Sequence, residues 1–200
     1  MFSPVPSANS VIAIVGFCSC NQQSKEWQLY CNLVAGGGRR VCMVTVGHQC
    51  AYGCPIPKDD VFSCLEDVPE GLELVVMLGP LAETPDLVDQ CGRLGVHSLV
   101  IMSAKSHADE DFFVDEIMVR ARKSRLRILG LNSSGFIVPT ACINLSLFDI
   151  PVVGGGLALL SQSGAAITSI LGVANERGVG FSHVVGLGAL TDIDFGDMID

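Results

Sequence analysis

Short apolar runs alternate with segments of helical periodicity along most of this chain. The predicted strands are 11–15, 41–46, 73–78, 97–102 and 127–129, and the predicted helices among them are 25–35, 84–94 and 109–123. Apolar strands that alternate with helices are typical of parallel strands buried on both faces. With right-handed crossovers, the pattern predicts an α/β fold built on a doubly wound parallel sheet.

A second alternation begins after residues 140–153, which we interpret as a linker or a domain crossing. It comprises a strand at 157–160, predicted to be buried, a helix at 163–176, a strand at 182–187 and a further helix at 195–200. Two strands are too few for a domain. We therefore expect one domain at 1–145 and the first part of a second α/β domain at 150–200.

Ser161, Gln162, Ser163 and Gly164 form a polar turn between the strand at 157–160 and the following helix. The free N–H groups of a first helical turn and the positive end of the helix dipole favour anions. The turn therefore predicts a phosphate site on the N–H groups of Ser163, Gly164 and Ala165. In the alternative interpretation, the serines only cap the helix and no ligand binds.

The net charge of −9 argues against a general nucleic-acid or anionic-membrane surface. The amino-terminal segment has no basic region followed by a long apolar core, and no apolar run is long enough to span a bilayer. These features predict a soluble cytoplasmic protein with neither a nucleic-acid partner nor a membrane partner.

Ligands of doubly wound sheets lie at the carboxyl ends of the strands. Gly16 follows the first strand, but the full G-x-G-x-x-G fingerprint is missing, and no Asp or Glu occurs between Trp27 and Lys58. An NAD site needs a carboxylate near the end of the second strand. The local positive charge of Arg39, Arg40 and Lys58 instead suits a phosphorylated ribose, as in NADP or coenzyme A, unless these are ordinary solvated charges.

Several motifs resemble NDP-forming acyl-CoA synthetases, relatives of the succinyl-CoA synthetase α subunit. Residues 129–135, Leu-Gly-Leu-Asn-Ser-Ser-Gly, are similar to the Gly-Pro-Asn-Cys/Ser-x-Gly motif that closes their CoA-binding domain. Residues 159–164, Leu-Leu-Ser-Gln-Ser-Gly, resemble their Ile-Ser-Gln-Ser-Gly phosphate motif. The segment from Asn175 to Asp194 resembles the sequence that follows it. The resemblance implies a Rossmann-like CoA-binding domain followed by the beginning of a flavodoxin-like domain.

The resemblance implies coenzyme A or an acyl-CoA as the ligand of the first domain. The implied CoA-site residues are Gly16, Cys18, Ser19, Val46, Gly47, Pro80, Ser103, Lys105, Asn132 and Ser133. The implied phosphate-site residues are Ser161, Gln162, Ser163 and Gly164. The family converts acyl-CoA, NDP and phosphate to acid, NTP and CoA through an acyl phosphate and a phosphohistidine. No histidine here matches the latter, so we expect no catalytic residue in this chain and an ATP-grasp partner elsewhere.

The departures from the family pattern support a second hypothesis. The first turn, Gly-Ala-Ser in the family, is Gly16-Phe17-Cys18 here, and Lys25 stands where a glycine is expected. A bulky residue there would hinder a pyrophosphate from approaching the backbone. Ser103-Ala104-Lys105-Ser106 is closer to the catalytically silent synthetase-like region of Pat-type protein lysine acetyltransferases. The alternative function is therefore a ligand-sensing module for an acetyltransferase domain.

Five soft side chains follow the first two strands: Cys18, Cys20, His48, Cys50 and Cys54. Both loops are expected at one edge of the parallel sheet, where these side chains could bind zinc or form a redox cluster. Their spacing matches no standard zinc motif. We therefore expect free, incidental thiols and no metal.

Overall fold

The computed structural model describes residues 5–16, 24–45, 55–103 and 110–199. Its first sheet contains six parallel strands in the order β3-β2-β1-β4-β5-β6. Their bounds are β1 Val11–Gly16, β2 Arg40–Thr45, β3 Val61–Phe62, β4 Leu72–Met77, β5 Ser98–Ile101 and β6 Arg127–Leu129. The chain reverses direction of winding between β1 and β4, so this doubly wound order confirms the predicted fold class.

Three helices cover the faces of this sheet: α1 Lys25–Ala35, α2 Thr84–Arg93 and α3 Glu110–Ser124. Helix α1 begins where the Ser24 hydroxyl accepts a hydrogen bond from the Trp27 N–H group, an N-cap, and it ends at a run of glycines. Helices α2 and α3 share one apolar cluster with alternate residues of the strands, including Val15 and Met77. Within the described ranges, no helix is long and apolar enough to cross a membrane.

The second sheet has four strands in the order β8-β7-β10-β9. Their bounds are β7 Gly135–Val138, β8 Ile143–Ser146, β9 Gly154–Ser161 and β10 Phe181–Gly186, with helices α4 Gly164–Glu176 and α5 Phe195–Ile199. β9 and β10 are parallel, whereas β7 is antiparallel to both β10 and β8. Helix α4 packs on this sheet through Ile167, Leu171 and Ala174.

Helix α1 lies between the two sheets. Its buried Leu29 and Leu33 belong to the same apolar cluster as Ile14 of the first sheet and Phe136 of the second. The side-chain amide of Asn32 also donates to the Ser146 carbonyl oxygen at 3.0 Å. The two sheets therefore share a core.

The sequence pattern missed three strands. β3 has only two residues. β7 and β8 are short and are separated by a segment that contains Pro139, where the sequence predicts the end of the first domain and a linker. Because β7 and β8 pair within the second sheet, residues 135–146 contribute strands to it. The domain division at 145–150 stays a prediction.

The expectation of a buried strand at 157–160 is wrong. β9 pairs only with β10 among the described strands, and its first five residues are exposed, with Leu157 55% exposed. Apolar composition predicted the strand correctly, but a strand is buried only if other elements cover its faces and edges.

Candidate functional site

The carboxyl edge of the first sheet brings four of the predicted CoA-site residues into one row. An added Cβ at Gly16 of β1 would lie 3.8 Å from the Gly79 nitrogen, and Pro80 follows as an exposed residue. The Ser103 hydroxyl donates to the Gly79 carbonyl oxygen. The Asn132 N–H group donates to the Ser103 carbonyl oxygen at 3.0 Å. The end of β1 and the described residues that follow β4, β5 and β6 thus form a continuous ledge.

Asn132 and Ser133 occupy different environments on this ledge. Asn132 is exposed and has a φ of 54°, a left-handed conformation that asparagine tolerates. Ser133 is 3% exposed; its hydroxyl donates to the Gly186 carbonyl oxygen at 2.6 Å and accepts from the Gly135 N–H group at 2.9 Å. Asn132 is therefore free to face a ligand, whereas the Ser133 hydroxyl links the two sheets.

The remaining predicted CoA-site residues, Cys18, Ser19, Val46, Gly47 and Lys105, lie outside the described residues. The same is true of the suggested metal or redox cluster, Cys18, Cys20, His48, Cys50 and Cys54. Within the described part of the chain, no group of three or more His, Cys, Asp or Glu side chains could hold a metal ion.

The suggested role of Arg39 and Arg40 in binding a ribose phosphate is wrong. Arg40 is the first residue of β2 and therefore lies at the amino edge of the sheet, opposite the ledge. Its guanidinium pairs with Asp60 at 2.8 Å, and that of Arg39 donates to the carbonyl oxygens of Pro6 and Ala141. A run of charge in the sequence did not reveal at which end of the strand it would lie.

A cleft of about 260 Å³ opens beside the ledge. Its floor is formed by Val15, Val44 and Met77, near the carboxyl ends of three adjacent strands, which are almost fully buried. Leu87 of α2 adds a further apolar side chain. The cleft therefore combines an apolar surface with a position next to the point where the winding of the sheet reverses, as in many ligand sites.

Polar groups complete the walls of the cleft. Glu83 comes from the turn before α2, Asp86 and Gln90 come from α2 itself, and Ser63 and Cys64 come from the loop after β3. The Cys64 thiol donates to an Asp67 carboxylate oxygen at 3.2 Å, and this hydrogen bond raises the pKa of Cys64 above its ordinary value. The cleft thus offers two carboxylates, of which that of Asp86 also accepts from the Arg120 guanidinium at 3.2 Å, and a neutral thiol. The sequence does not reveal this cleft, because its residues come from segments with no motif.

The turn at Ser161–Gly164 has the predicted strand-turn-helix form. The Ser163 hydroxyl accepts from the Ala166 N–H group at 3.2 Å and caps α4, and the Ser161 hydroxyl accepts from the Ser163 N–H group at 3.0 Å. This second bond corrects the prediction that the Ser163 N–H group is free for an anion. Of the three predicted donors, those of Gly164 and Ala165 have no protein acceptor among the described residues.

The Gln162 side chain, also predicted at the phosphate site, is partly committed to the protein. Its amide nitrogen donates to the Gly188 carbonyl oxygen at 3.2 Å. The side chain is therefore held towards the segment after β10. This bond uses one of the two N–H groups of the amide, so one N–H donor and the amide oxygen remain for other contacts.

Ser134 connects the two predicted sites. An added Cβ at Gly164 would lie 2.5 Å from the Ser134 Oγ atom, and one at Gly186 would lie 2.8 Å from the Ser134 Cβ atom. The loop that follows β6 therefore packs directly over the first residue of α4. The motif that contains Ser134 does not indicate this contact, because no local pattern relates residues 134 and 164.

Residues 10–139 match the CoA binding domain family, which covers more than half of the 200 residues. The chain belongs to the CoA binding domain family. Residues 154–200 match a second family, the succinyl-CoA ligase like flavodoxin domain. These matches confirm the resemblance to NDP-forming acyl-CoA synthetases and agree with the two sheets.

The relatives of this CoA binding domain protein include acyl-CoA ligases. The α subunit of acetate–CoA ligase [ADP-forming] I from Pyrococcus furiosus is 32% identical over 146 residues, which are 72% of this chain and 32% of the relative. The corresponding subunit of acetate–CoA ligase [ADP-forming] II from the same organism is 25% identical over 192 residues, 94% of this chain and 40% of the relative.

A solved structure has the same fold. It is the dinucleotide forming acetyl-coenzyme A synthetase 1 of Ca. Korarchaeum cryptofilum in complex with phosphate and ADP, with 26% identity and a TM-score of 0.81. The match covers 96% of this chain and 40% of that one. The chain thus spans well under half the length of these relatives.

Proposed function

We propose that this chain binds coenzyme A or an acyl-CoA along the ledge and cleft of the first sheet, next to an anion site at the start of α4. In this proposal it forms the CoA-binding part of an NDP-forming acyl-CoA synthetase. Such an enzyme converts acyl-CoA, NDP and phosphate to acid, NTP and CoA. The cytoplasm stays the predicted compartment.

The contact of Ser134 with Gly164 carries this proposal. Transfer of an acyl group between CoA and phosphate requires the thioester and the phosphate to lie side by side. The packing of the Asn132–Ser134 loop over the first turn of α4 supports such an arrangement. Exposed Asn132 is then available to the CoA end, and the N–H groups of Gly164 and Ala165 to the phosphate.

The cleft suits the purine end of coenzyme A. Its apolar surface can pack against a planar ring, and Glu83 and Asp86 can accept hydrogen bonds from an exocyclic amino group. Their negative charge would repel the phosphates of the ligand. We therefore expect the pyrophosphate towards Gly16 and the start of α1, rather than within the cleft.

The proposed transfer of the acyl group from CoA to phosphate needs few chemical contributions from these residues. A phosphate oxygen attacks the thioester carbonyl carbon, the carbon–sulfur bond breaks, and acyl phosphate and the CoA thiolate are formed. The first turn of α4 would hold and orient the attacking phosphate through fixed N–H dipoles. The phosphohistidine and nucleotide steps would use residues from other parts of the enzyme, in line with the subunit names of the relatives.

Calorimetric titration of the chain with CoA, acetyl-CoA, NADP and NAD tests the proposed ligand. We expect CoA or acetyl-CoA to bind with a dissociation constant of roughly 10 μM to 1 mM and NAD to bind more weakly. Fluorescence of Trp27, the one tryptophan, provides a second signal. Tighter binding of NAD than of CoA would show that the proposed ligand is wrong.

Two variants test the place of the ligand. Ala82→Phe adds a ring to an exposed residue that lines the cleft and should weaken CoA binding by about tenfold or more, because it occupies the purine space. Ala158→Phe alters an exposed alanine of β9 and is the matched control. Equal affinities in the two variants would exclude the cleft.

A phosphate titration followed by amide chemical shifts tests the anion site. Saturable shifts are expected at Gly164 and Ala165, and Gly164→Ala should weaken them because its methyl group enters the space beside Ser134. Gly172→Ala is the control, because an added Cβ there meets no atom within 4 Å. Without saturable shifts up to tens of millimolar phosphate, the serines would have only the capping role.

The relatives described above are ligases, and no observation on the described residues favours the alternative of an acetyltransferase-linked sensor. The synthetase function is therefore the one that we propose.

A further inference from the structure

The segment 187–193, here called the strap, runs along the outer edge of β6. Its backbone pairs with the end of that strand and the loop that follows. Three N–H groups of the strap donate to carbonyl oxygens there: Ala189 to Leu131 at 2.8 Å, Thr191 to Gly130 at 3.3 Å and Ile193 to Ile128 at 3.3 Å. The N–H group of Leu131 donates in turn to the Thr191 hydroxyl at 3.3 Å. The strap therefore holds the segment that leads to Asn132.

Asp192 anchors the strap to β6. One of its carboxylate oxygens accepts from the Ile128 N–H group at 2.7 Å and from the Arg127 guanidinium at 3.0 Å. The side chain is only 20% exposed. A charge-assisted bond to a backbone N–H group fixes position more strictly than a solvent-exposed ion pair does.

The other end of the strap holds the turn before α4. The Leu187 N–H group donates to the Ser161 carbonyl oxygen at 2.8 Å, and the Gly188 carbonyl oxygen accepts from the Gln162 amide at 3.2 Å. Gly188 has a φ of 68°, and a side chain there would collide with the Leu131 carbonyl oxygen. The strap is therefore in close backbone contact with both loops and has no room to slide.

We propose that the strap sets the separation between the Asn132–Ser134 loop and the Ser161–Gly164 turn, and that Asp192 is its positioning residue. This inference rests on the proposed function, in which these two loops hold the CoA end and the phosphate. Asp192 itself does not touch either ligand. It acts by fixing the backbone of β6 and of the strap relative to each other.

Amide hydrogen exchange of the ligand-free chain tests the inference directly. Asp192→Ala should accelerate exchange by about tenfold at Leu187 and Ser163 as well as at Ile128, because release of the anchor loosens the whole strap. Asp192→Asn keeps an acceptor for the Ile128 N–H group and should restore slow exchange at Leu187 and Ser163.

Asp197→Ala is the matched control for this experiment. Asp197 also pairs with Arg127, at 3.0 Å, and that hydrogen bond lowers the pKa of Asp197 below its ordinary value. It lies in α5, however, and has no hydrogen bond to the β6 backbone among those described. Two results would overturn the proposed role of Asp192. One is that Asp192→Ala accelerates hydrogen exchange at Ile128 alone, and the other is that Asp197→Ala accelerates hydrogen exchange at Leu187 as much as Asp192→Ala does.

Ligand linkage separates this inference from the proposed function. Phosphate should change the affinity of the parent chain for CoA, so that the ratio of the affinities with and without phosphate differs from one. In Asp192→Ala this ratio should be close to one, whereas Asp192→Asn should retain the ratio of the parent chain. If CoA binds but phosphate has no effect in the parent chain, the positioning inference is wrong and the proposed ligand stands. If CoA does not bind, the proposed function is wrong. The hydrogen-exchange experiment then tests only whether Asp192 fixes the strap.

Discussion

β1 and β9 are both apolar strands that lead to a predicted ligand loop, yet they differ in burial. All six residues of β1 are buried, since it lies between β2 and β4 with helices on both faces of the sheet. β9 has eight residues, pairs with β10 alone among the described strands, and leaves Leu157 55% exposed.

The difference shows that burial of a strand depends on its neighbours. In β9, another backbone segment approaches closely: an added Cβ at Gly155 would collide with Gly180. Helix α4 repeats the contrast, because Ile167 and Leu171 are buried against the sheet whereas Ile170 and Val173 are 43% and 50% exposed. The outer part of the second sheet therefore contributes less apolar burial per residue than the first sheet does.

Truncation of one aliphatic side chain in each strand should give the largest effect. Ile14→Ala in β1 removes a fully buried side chain and should lower the free energy of unfolding by about 2–5 kcal/mol, because it leaves a cavity. Leu157→Ala in β9 should change it by about 0.5 kcal/mol or less. Urea denaturation measures both values. Similar losses in the two variants would mean that β9 is covered in solution.

Buried thiols provide a second test of how completely the first sheet excludes water. Burial raises the pKa of Cys42 to about 11 and that of Cys91 to about 12. Well below the ordinary thiol pKa of roughly 8.5, these thiols are protonated in both the folded and the unfolded chain. As the pH rises further, the unfolded thiols ionise first, so stability should fall by up to about 1.4 kcal/mol per pH unit for each thiol.

The pH dependence of urea denaturation between pH 8 and 10.5 measures this loss. Cys91→Ala should reduce the alkaline slope, whatever its effect on stability at neutral pH. Val88→Ala, which also truncates a fully buried residue of α2, should leave the slope unchanged. An unaltered slope in Cys91→Ala would show that water reaches this thiol.

Removal of the helix caps should give the smallest effect and should not distinguish the two regions. Ser24 caps α1 through a hydrogen bond of 3.1 Å and Ser163 caps α4 through one of 3.2 Å. Ser24→Ala and Ser163→Ala should each cost about 1 kcal/mol, as measured by urea denaturation. A much larger loss for Ser24→Ala would mean that the environment of α1 between the sheets, and not the cap alone, determines the value.

Local signals predicted several elements closely. Helix α1 has the predicted bounds, 25–35, because a serine cap precedes it and glycines follow it. β6 has the predicted bounds, 127–129, and α4 begins one residue after its predicted start. β7 and β8 were missed because a short antiparallel pair around Pro139 has no periodicity long enough to detect.

The candidate site was only partly predictable. The turn at Ser161–Gly164 follows from a strand-turn-helix pattern, and its capping serine is where the pattern indicates. The commitment of the Ser133 hydroxyl to Gly186, and of the Ser163 N–H group to Ser161, could not be predicted, because each depends on backbone positions that local sequence does not specify. The cleft beside α2 has no motif at all.

The amino-acid sequence by itself determined the alternation of strands and helices, the helix caps and the doubly wound class of the first sheet. These features depend on interactions within a few residues and on the periodicity of apolar side chains. Only the tertiary structure decided that β9 is exposed, that Arg40 lies at the opposite edge from the ledge, and that Ser134 packs over Gly164. Those outcomes depend on contacts between residues far apart in the chain, whose geometry is set by packing of the whole fold.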